Sequence, residues 1–486
     1  MLTFNKEKLR DKIYACWIGK NIGGTVGGPF EGRREILDIQ GYTTPKGEPL
    51  PNDDLDLQLV WLKAVERFGN QITEQELSEM WVDWIVPNWG EYGICKSNMR
   101  SNMLPPLCGM YNNPWKNSNG AWIRSEIWAC LNPGCVNNAM NYAYMDACCD
   151  HGISEGVWAE MFTAALESAA FVEHDVHKLV DIALAKIPAD CRVARSVKVA
   201  VDCYKNGDDW KVAREKIVED NADLGWFMAP GNVAFVVIGL LYGEGDFKKT
   251  LLTAVNCGDD TDCTAGTAGA IMGILNGTAG IPKDWSEFIG DKIVTISLMR
   301  THLPNFPNTC TELTDRVMNQ IGRISGSWVR LTNDEECFDD WNPNEGGNSL
   351  AKQLSAMSPY SYKTTFGRRF AARVEFDRQP DIKPLESINV KLSVYNNSFD
   401  QKHYEVRWHL PEGWSVSGQH NICTFRDVNR IGPDGKAIEM PNDTMCATGE
   451  YVITAGEKVE AINYITADFI CRDRPTIGHA SVVIMG

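Results

Sequence analysis

The stretch of sequence that decides the fold is NCGDDTDCTAGTAGAIMGILNG, residues 256–277. It places three carboxylates, those of Asp259, Asp260 and Asp262, at a loop tip, and then continues as a run of small and apolar residues. Glycine and alanine recur in that run at helical spacing, so a neighbouring helix can approach its backbone closely. Three carboxylates this close together repel one another unless a cation lies among them. The stretch therefore predicts a closely packed helix that begins at a cation site.

A second acidic tip lies far upstream, at Asn52, Asp53 and Asp54, and it also precedes an apolar helical run, residues 55–65. Hard divalent cations such as Mg²⁺ and Ca²⁺ take oxygen ligands from carboxylates and amides. The alternative is that both tips are helix N-caps, because Asp and Asn accept hydrogen bonds from the free backbone N–H groups of a first turn. Capping needs one carboxylate, whereas the downstream tip has three, so the pattern favours a cation site there.

Together the two tips resemble the motifs of the ADP-ribosylglycohydrolase family, a Gly-Asp-Asp-x-Asp run and an upstream Asp-Asp that each precede a helix. The glycine-rich stretch at residues 19–32, which includes Glu31 near its end, is similar to the same family. So are segments of residues 123–165, which include Asp146 and His151. The resemblance covers roughly residues 8–300.

The resemblance implies an all-α fold with two Mg²⁺ ions at the base of a cleft, Mn²⁺ or Ca²⁺ being alternatives, and cleavage of a ribosyl C1 bond to nitrogen or oxygen. The metal ligands that it implies are Asn52, Asp53, Asp54, Asp260 and Asp262. The catalytic residues that it implies are Glu31, Asp53 and Asp260. A glutamate beside a metal-activated water is a candidate general base. The alternative for this glutamate is a surface carboxylate that follows a glycine-rich turn.

Three positions depart from the family pattern. Asn52 replaces a threonine but still offers an amide oxygen. Cys263 replaces the threonine after the last aspartate, and its sulfur is a poor match for Mg²⁺. Full occupancy of one metal site then requires Thr264 or a water molecule in its place. Gly24 stands where the family has an aspartate, so the substrate contacts of the family do not carry over fully.

The candidates for lining the substrate cleft are Trp89, Glu91, Trp128 and His151. The two tryptophans have large faces that stack on a base or sugar ring, although a core position is the default for most tryptophans. Residues 88–92 and 98–113 are rich in Asn, Pro and Gly and predict a long loop, where substrate contacts are common. For the histidine, a capping or hydrogen-bonding role is the alternative.

The composition limits the classes of molecule that the protein is expected to bind. The formal net charge of −17 opposes binding to nucleic acid or to anionic membranes, so the predicted partner is a small or protein-linked glycosyl substrate. The N-terminal sequence lacks the apolar core of a signal peptide, and the chain has no run of 18 apolar residues. Its sixteen cysteines include no Cys-x-x-Cys spacing, which favours reduced thiols over disulfides or zinc. We therefore expect a cytoplasmic protein; its oligomeric state stays open.

Periodicity divides the chain into two domains. Helical patterns extend to about residue 321, with amphipathic stretches at residues 57–68, 155–173, 176–186, 193–205, 210–220, 232–241 and 247–255. Beyond residue 361 the period becomes two, with strand candidates at residues 388–394, 404–408, 450–453, 461–467 and 480–485. Several short alternating strands predict an immunoglobulin-like β-sandwich, similar to accessory modules beside bacterial carbohydrate enzymes. The predicted domains are an all-α catalytic domain at 1–330, a connector at 331–361 and a sandwich at 362–486.

Three functions are compatible with these motifs. The first is a metal-dependent hydrolase of an ADP-ribosylated substrate, protein-linked or small. The second is a hydrolase of another glycoside or nucleoside on the same scaffold, which the negative charge, Gly24 and the appended sandwich suggest. The third is a non-catalytic binding protein. Retention of the four metal-motif aspartates argues against the third.

Overall fold

The computed structural model describes residues 1–298, 305–366, 370–396, 402–424, 446–472 and 476–486. The chain forms two compact units. Unit 1 comprises residues 1–95 and 113–355, and unit 2 comprises residues 96–112 and 356–486. Unit 1 is mainly helical and unit 2 is mainly β-structure, as the change of period predicts. The predicted boundaries at residues 330 and 362 remain a proposal about which parts fold independently.

Helices of the described residues follow the amphipathic stretches predicted above, and that prediction is confirmed. The α-helices are α1 Lys6–Gly27, α2 Asp53–Phe68, α3 Glu74–Trp84, α4 Gly90–Arg100, α5 Leu107–Met110, α6 Glu126–Leu131, α7 Val136–His151, α8 Glu155–Ala170, α9 Val176–Leu184, α10 Arg192–Lys205, α11 Trp210–Asp220, α12 Ala229–Tyr242, α13 Phe247–Val255, α14 Thr261–Asn276, α15 Lys283–Ile289, α16 Cys310–Ile324 and α17 Ser349–Ser355. In unit 1, strand β1 (Leu2–Asn5) pairs in parallel with β2 (Val329–Thr332).

The centre of unit 1 is the helix that the opening stretch predicts. Nearly every residue of α14 is buried, and so is most of α1 after its second turn. A helix that is apolar and small on all sides belongs in the interior, because no face of it favours water. The outer helices are amphipathic; α16, for example, buries Leu313, Val317 and Ile321 on one face. This arrangement fixes α14, and with it the downstream acidic tip, inside the bundle.

The long loop predicted over residues 88–92 and 98–113 is wrong in part, because helices α4 and α5 overlap these segments. Its asparagines suggested a solvated segment. Instead, the buried Asn98 side chain donates hydrogen bonds to the carbonyl groups of Cys108 and Tyr111, both at 2.8 Å. These bonds satisfy the turn between the two helices internally, which a reading of composition does not reveal.

Unit 2 is an antiparallel β-sandwich, as predicted. Its strands are β3 Ser361–Phe366, β4 Phe370–Phe376, β5 Ser387–Asn396, β6 Lys402–His409, β7 Ser415–Gly418, β8 Asn421–Thr424, β9 Cys446–Thr454, β10 Ile462–Cys471 and β11 Thr476–Met485. One sheet has the order β3-β4-β5-β9-β7 and the other β11-β10-β6-β8. The alternating residues Val390 and Leu392 of β5 lie in one core with Ala467 and Phe469 of β10. The period of two therefore marks the inward face of each sheet.

Two further predictions concern the whole chain. All sixteen cysteines are free thiols, and most of them are buried. Among the described residues, no helix combines the length and the apolar character needed to cross a membrane.

Candidate metal centre and active site

Helices α1 and α14 approach until their backbones touch, because both carry glycine where they pack. A Cβ atom on Gly23 would lie 2.1 Å from the carbonyl oxygen of Ala265, and one on Gly27 would lie 2.1 Å from that of Thr261. Only glycine fits at such distances. The Thr261 hydroxyl also donates a 2.8 Å hydrogen bond to the Gly27 carbonyl. The end of α1 is therefore fixed against the start of α14.

The three carboxylates of the downstream tip, Asp259, Asp260 and Asp262, occupy two environments. Asp259 has a φ of 60°, and its carboxylate lies 3.8 Å from both Arg34 and Arg214. Backbone hydrogen bonds in both directions hold the same residue to the segment that follows Glu31: Asp259 donates to Arg33, and Gly32 donates to Asp259. Two arginines therefore lie beside this carboxylate, which is not among the carboxylates that group with Glu31 or Asp54.

The other two carboxylates face Glu31. Ligand oxygens of Glu31, Asp260 and Asp262 lie within 4.8 Å of one another, and we call these three residues the outer acidic group. Asp260 is the N-cap residue of α14 and is 1% exposed, whereas Glu31 is exposed at the surface. The glycine packing of α1 against α14 explains why Glu31 meets Asp260 of the downstream tip, 229 positions away in sequence. The outer acidic group thus opens to solvent on the side of Glu31.

An inner acidic group consists of Asp54, Asp262 and Cys263, whose ligand atoms also lie within 4.8 Å of one another. Asp54 is fully buried. The two groups share Asp262, so the two tips form one continuous site. Asn52 caps helix α2, since its side-chain oxygen accepts a 2.8 Å hydrogen bond from the Asp54 backbone N–H. The capping alternative therefore describes Asn52, and its role as a metal ligand stays a prediction.

Burial and mutual repulsion raise the pKa values of these carboxylates strongly. Burial, and after it the charge of the neighbouring Asp54, raises the pKa of Asp53 to about 6. Burial likewise raises the pKa of Asp262 to about 6, with Glu31 and Asp53 adding to the shift. The pKa of Asp260 lies well above its usual range, because of burial and then of Asp262. Such carboxylates are poised to exchange protons for a cation.

The donor set fits a hard divalent cation. One oxygen of Asp260 and one of Asp262, Oδ1 in each case, are buried without a hydrogen-bond donor among the described residues. Buried carboxylate oxygens without a donor are costly, and a metal ion satisfies them. Oxygen-rich sites of this kind suit Mg²⁺, Mn²⁺ or Ca²⁺.

Three residues that sequence reasoning missed orient the carboxylates. The Tyr92 hydroxyl donates to Asp53 Oδ2 at 2.9 Å. The Asn119 amide donates to Asp260 Oδ2 at 2.7 Å, and its own oxygen accepts from the Trp122 indole at 2.9 Å. Such contacts fix the rotamer of a ligand. Tyr92 stands next to the candidate Glu91, and Asn119 lies shortly before the family-like segment that begins at residue 123. Closeness to these segments in the sequence is the one signal that could have identified the two residues.

Lys20 was also missed. Its Nζ atom lies 3.3 Å from Asp54 Oδ2 and 2.8 Å from Glu126 Oε1, and all three side chains are fully buried. The Lys20 ammonium opposes the rise that burial causes in the pKa of Asp54, which is about 7. The inner acidic group therefore has a fixed positive charge beside it.

The structure places the four cleft-lining candidates differently from one another. Trp89 is 49% exposed and its ring lies 6.2 Å from that of Tyr92, at the rim of the site. Trp128 is buried and donates to Asp146 Oδ2 at 2.9 Å. This indole packs within the bundle, which corrects the expectation that it lines the cleft.

Glu91 and His151 are buried as well, at 2% and 0% exposure. The His151 ring contacts Ser118 Oγ at 3.1 Å through Nε2 and lies 2.9 Å from Asp150 Oδ1 through Nδ1. The hydrogen-bonding alternative therefore describes His151. Burial raises the pKa of Glu91 to about 7. These two side chains form a third group with Asp150, separate from the outer and inner acidic groups.

Aromatic side chains follow the rim between the two tips. The Trp226 ring lies 3.8 Å from the Cβ position of Gly32 and 5.3 Å from the Phe227 ring. The Phe227 ring in turn lies 6.1 Å from the Trp115 ring. Trp115 is 38% exposed and packs against Gly90, next to Trp89. Exposed aromatic faces beside an acidic site are suited to stacking on a ring of a ligand.

The departures from the family pattern have structural partners. Cys263 Sγ lies 3.6 Å from Asp54 Oδ1, so the sulfur faces the inner acidic group. The Thr264 hydroxyl donates to the Thr261 carbonyl instead of facing that group. A Cβ atom on Gly24 would lie 2.1 Å from the Asn52 amide nitrogen. A side chain at position 24 therefore excludes the observed position of Asn52.

The helical region of the chain matches a known protein family. The ADP-ribosylglycohydrolase family model matches residues 5–321. A solved structure described as an ADP-ribosylglycohydrolase-related protein complex is similar at 16% identity and a TM-score of 0.45, over 66% of this chain and 99% of that chain. A FixG-related protein from Vibrio parahaemolyticus matches at 12% identity and a TM-score of 0.18, over 24% of this chain and 97% of that one. No curated protein matches the chain.

The family match spans the whole of the region that builds the site. Its limits enclose Glu31, both acidic tips and the residues that orient them. Membership supports a glycohydrolase-type function. Since the match covers well over half of the 486 residues, the chain belongs to the ADP-ribosylglycohydrolase family.

Proposed function

We propose that this protein is a divalent-cation-dependent hydrolase that cleaves a ribosyl N- or O-glycosidic bond of an ADP-ribosylated substrate, protein-linked or small. The observation that carries the proposal is the pair of acidic groups that share Asp262 and leave buried carboxylate oxygens without donors. Two ions, Mg²⁺ by preference, would be held by Asp260, Asp262 and Glu31 on the outer side and by Asp54 and Asp262, with Asn52 and Asp53 adjoining, on the inner side.

The chain's own residues have distinct roles in this proposal. When bound, the cations supply Lewis-acid chemistry and acidify a water molecule. Glu31, at the solvent edge of the outer acidic group, would be the residue that accepts a proton from the attacking water. Partial burial, Asp53 and Asp54 raise its pKa, which makes it a stronger base than a solvated glutamate. Tyr92 and Asn119 fix the orientation of Asp53 and Asp260 by hydrogen bonds to one oxygen of each carboxylate. Positive character that develops at C1 in the transition state is stabilised by these carboxylates.

The surroundings of the site support a glycosyl substrate. Trp89 and Trp115 offer exposed faces beside the acidic groups, and flat rings stack on such faces. The net charge of −17 disfavours nucleic acid and anionic membranes as partners. Sixteen free thiols fit a reducing compartment, so we propose a cytoplasmic location.

A hydrolysis assay tests the function. Mono-ADP-ribosylated peptides linked through arginine or serine are incubated with Mg²⁺, and release of ADP-ribose is followed by chromatography. We expect release from wild-type protein and a loss of at least about 100-fold in Glu31→Gln, because the base is removed. Glu35→Gln is the matched control, since Glu35 lies four residues after Glu31, is exposed and forms an ion pair with Arg33. Equal rates in Glu31→Gln and wild type would contradict the role of Glu31.

A second candidate function is hydrolysis of another glycoside or of a nucleoside. The observation that favours it is Gly24, which stands where the family pattern has an aspartate. A Cβ atom at this position would lie 2.1 Å from the Asn52 amide nitrogen. The same assay with a nucleoside and with aryl ribosides separates the two. Release of base or phenol without release of ADP-ribose would replace the first proposal by the second.

A further inference from the structure

Lys20 lies beneath the inner acidic group in the interior of unit 1. Its side chain is fully buried and passes along α14, where a Cβ atom on Gly266 would come within 3.3 Å of Lys20 Cδ. The ammonium group ends between Asp54 Oδ2 at 3.3 Å, Glu126 Oε1 at 2.8 Å and the Thr267 hydroxyl at 3.1 Å. The lysine therefore contacts the site from the side opposite to solvent.

The position of this charge decides which oxygen of Asp54 is available. Oδ2 faces the ammonium, whereas Oδ1 faces the Cys263 sulfur at 3.6 Å within the inner acidic group. A buried unit charge interacts strongly with charges a few ångströms away, because the surroundings screen it weakly. The ammonium therefore attracts the carboxylate and repels any cation that the same carboxylate holds.

We propose that Lys20 is a positioning residue that acts as a resident cation: it fixes Asp54 through Oδ2 and competes by its charge with the divalent ion of the inner acidic group. This inference rests on the proposed metal centre. It makes the inner ion the weaker of the two and keeps the carboxylates compatible with folding before metal binds. In the described contacts of Asp260 and Asp262 no ammonium lies within ion-pair distance, so the outer ion has no such competitor in contact with its carboxylates.

Glu126 offers a way to separate charge from folding. Its second oxygen accepts a 2.9 Å hydrogen bond from the Gln58 amide, which also donates to the Asp54 carbonyl. Removing Lys20 alone leaves two buried carboxylates without a cation, which destabilises a protein. The double variant Lys20→Met with Glu126→Gln removes one charge of each sign. It leaves Asp54 as the one carboxylate freed by the change.

The experiment is isothermal titration of metal-free protein with Mg²⁺ and with Mn²⁺, together with the shift in melting temperature that each metal causes. Wild type, Lys20→Met and the double variant are compared with Lys12→Met, a control on the same helix whose ammonium contacts the Phe171 carbonyl away from the acidic groups. We expect two binding steps in wild type. In both Lys20 variants the weaker step tightens by about tenfold and the melting shift grows, because a competing charge is gone.

The direction of the change makes the test decisive. Damage to a site weakens binding, whereas removal of a competing cation tightens it. Unchanged or weaker binding in the folded double variant would overturn the role of Lys20 while leaving the metal centre intact. Absence of any Mg²⁺ or Mn²⁺ binding in wild type would overturn both this inference and the proposed function.

Discussion

Two sets of buried charges lie in unit 1, and they are built on opposite principles. In one, Arg124 donates to Asp146 Oδ1 at 3.0 Å and to both oxygens of Asp150 at 3.0 and 2.8 Å. In the other, Asp260 and Asp262 each keep a buried oxygen without a donor among the described residues. Both sets consist of carboxylates withdrawn from water. They differ in whether the chain itself supplies the positive charge.

The difference teaches how to tell a scaffold from a site. A guanidinium that fills its donor positions with carboxylates leaves nothing for a ligand, so the Arg124 set joins α7 to the segment before α6 and holds the bundle together. Carboxylates that face one another without a full complement of donors are costly unless something binds them. Lys20 stands between these cases, since it compensates Asp54 but not Asp260 or Asp262.

We expect the largest effect from a substitution in the Arg124 set, which consists of Arg124, Asp146 and Asp150. Arg124→Met removes the guanidinium that pairs with both Asp146 and Asp150, and we expect it to lower the free energy of unfolding by about 3–5 kcal/mol. Urea unfolding followed by tryptophan fluorescence measures this. Arg192→Met is the control, because Arg192 pairs with Asp223 at the surface and should cost less than about 1 kcal/mol. A similar loss in both variants would remove the distinction.

Next in size is the opposite change in the site. Asp260→Asn keeps the shape of the side chain and deletes one of the mutually repelling charges. We expect turnover to fall at least about 100-fold, while the melting temperature in EDTA stays the same or rises. Asp259→Asn, at the arginine-paired neighbour, should keep most of the turnover. Retained activity in Asp260→Asn, measured on the same substrate, would place the chemistry elsewhere.

The protonation of the site carboxylates should make the stability of the metal-free protein depend on pH. The folded-state pKa of Asp53 and of Asp262 is about 6, above the ordinary value of 3.8, so the metal-free folded protein binds more protons than the unfolded chain. Their contribution to stability is fully present below pH 3.8 and is lost as pH rises through about 6. We expect Mg²⁺ to offset this loss above pH 6. Chemical unfolding at pH 5 and pH 7.5, with and without Mg²⁺, checks it; equal metal effects at both pH values would be inconsistent.

The smallest expected effect concerns Cys263, whose sulfur faces Asp54 Oδ1. Cys263→Thr exchanges a soft atom for a hard oxygen, so we expect Mg²⁺ to bind a few-fold more tightly. Because the site keeps its carboxylates, the melting temperature of the metal-free protein should change little. Titration of wild type and variant measures the difference. Equal affinities would show that position 263 is not a ligand position.

Much of the fold was predictable because periodicity reports directly on burial. The alternation of Val390 and Leu392 marked a strand, and the small residues of α14 marked a buried helix. The acidic tips were predictable because like charges rarely cluster without a reason. The loop predicted at residues 88–92 and 98–113 failed in part because Asn98 bonds inside the turn, which composition does not show.

The supporting residues of the site were not predictable in the same way. Asn119 meets Asp260 across 141 positions, and Lys20 meets Glu126 across 106, so only the packing of helices brings them together. Trp128 and His151 illustrate the converse. Their chemistry suggested a cleft, but the Trp128 indole donates to the buried Asp146 and the His151 ring shares a hydrogen bond with the buried Ser118. Residue type indicates what a side chain can do, and tertiary contacts decide whether it faces a substrate.

The central claim is that the acidic groups sharing Asp262 bind a divalent cation. It is tested most directly by the melting temperature of protein stripped with EDTA and then loaded with Mg²⁺, Mn²⁺ or Ca²⁺, with elemental analysis of both forms. We predict that the stripped form melts lower and that added metal restores the higher value, because a bound cation relieves repulsion among the carboxylates in the folded state alone. The same melting temperature in verified metal-free and metal-loaded protein would contradict the account.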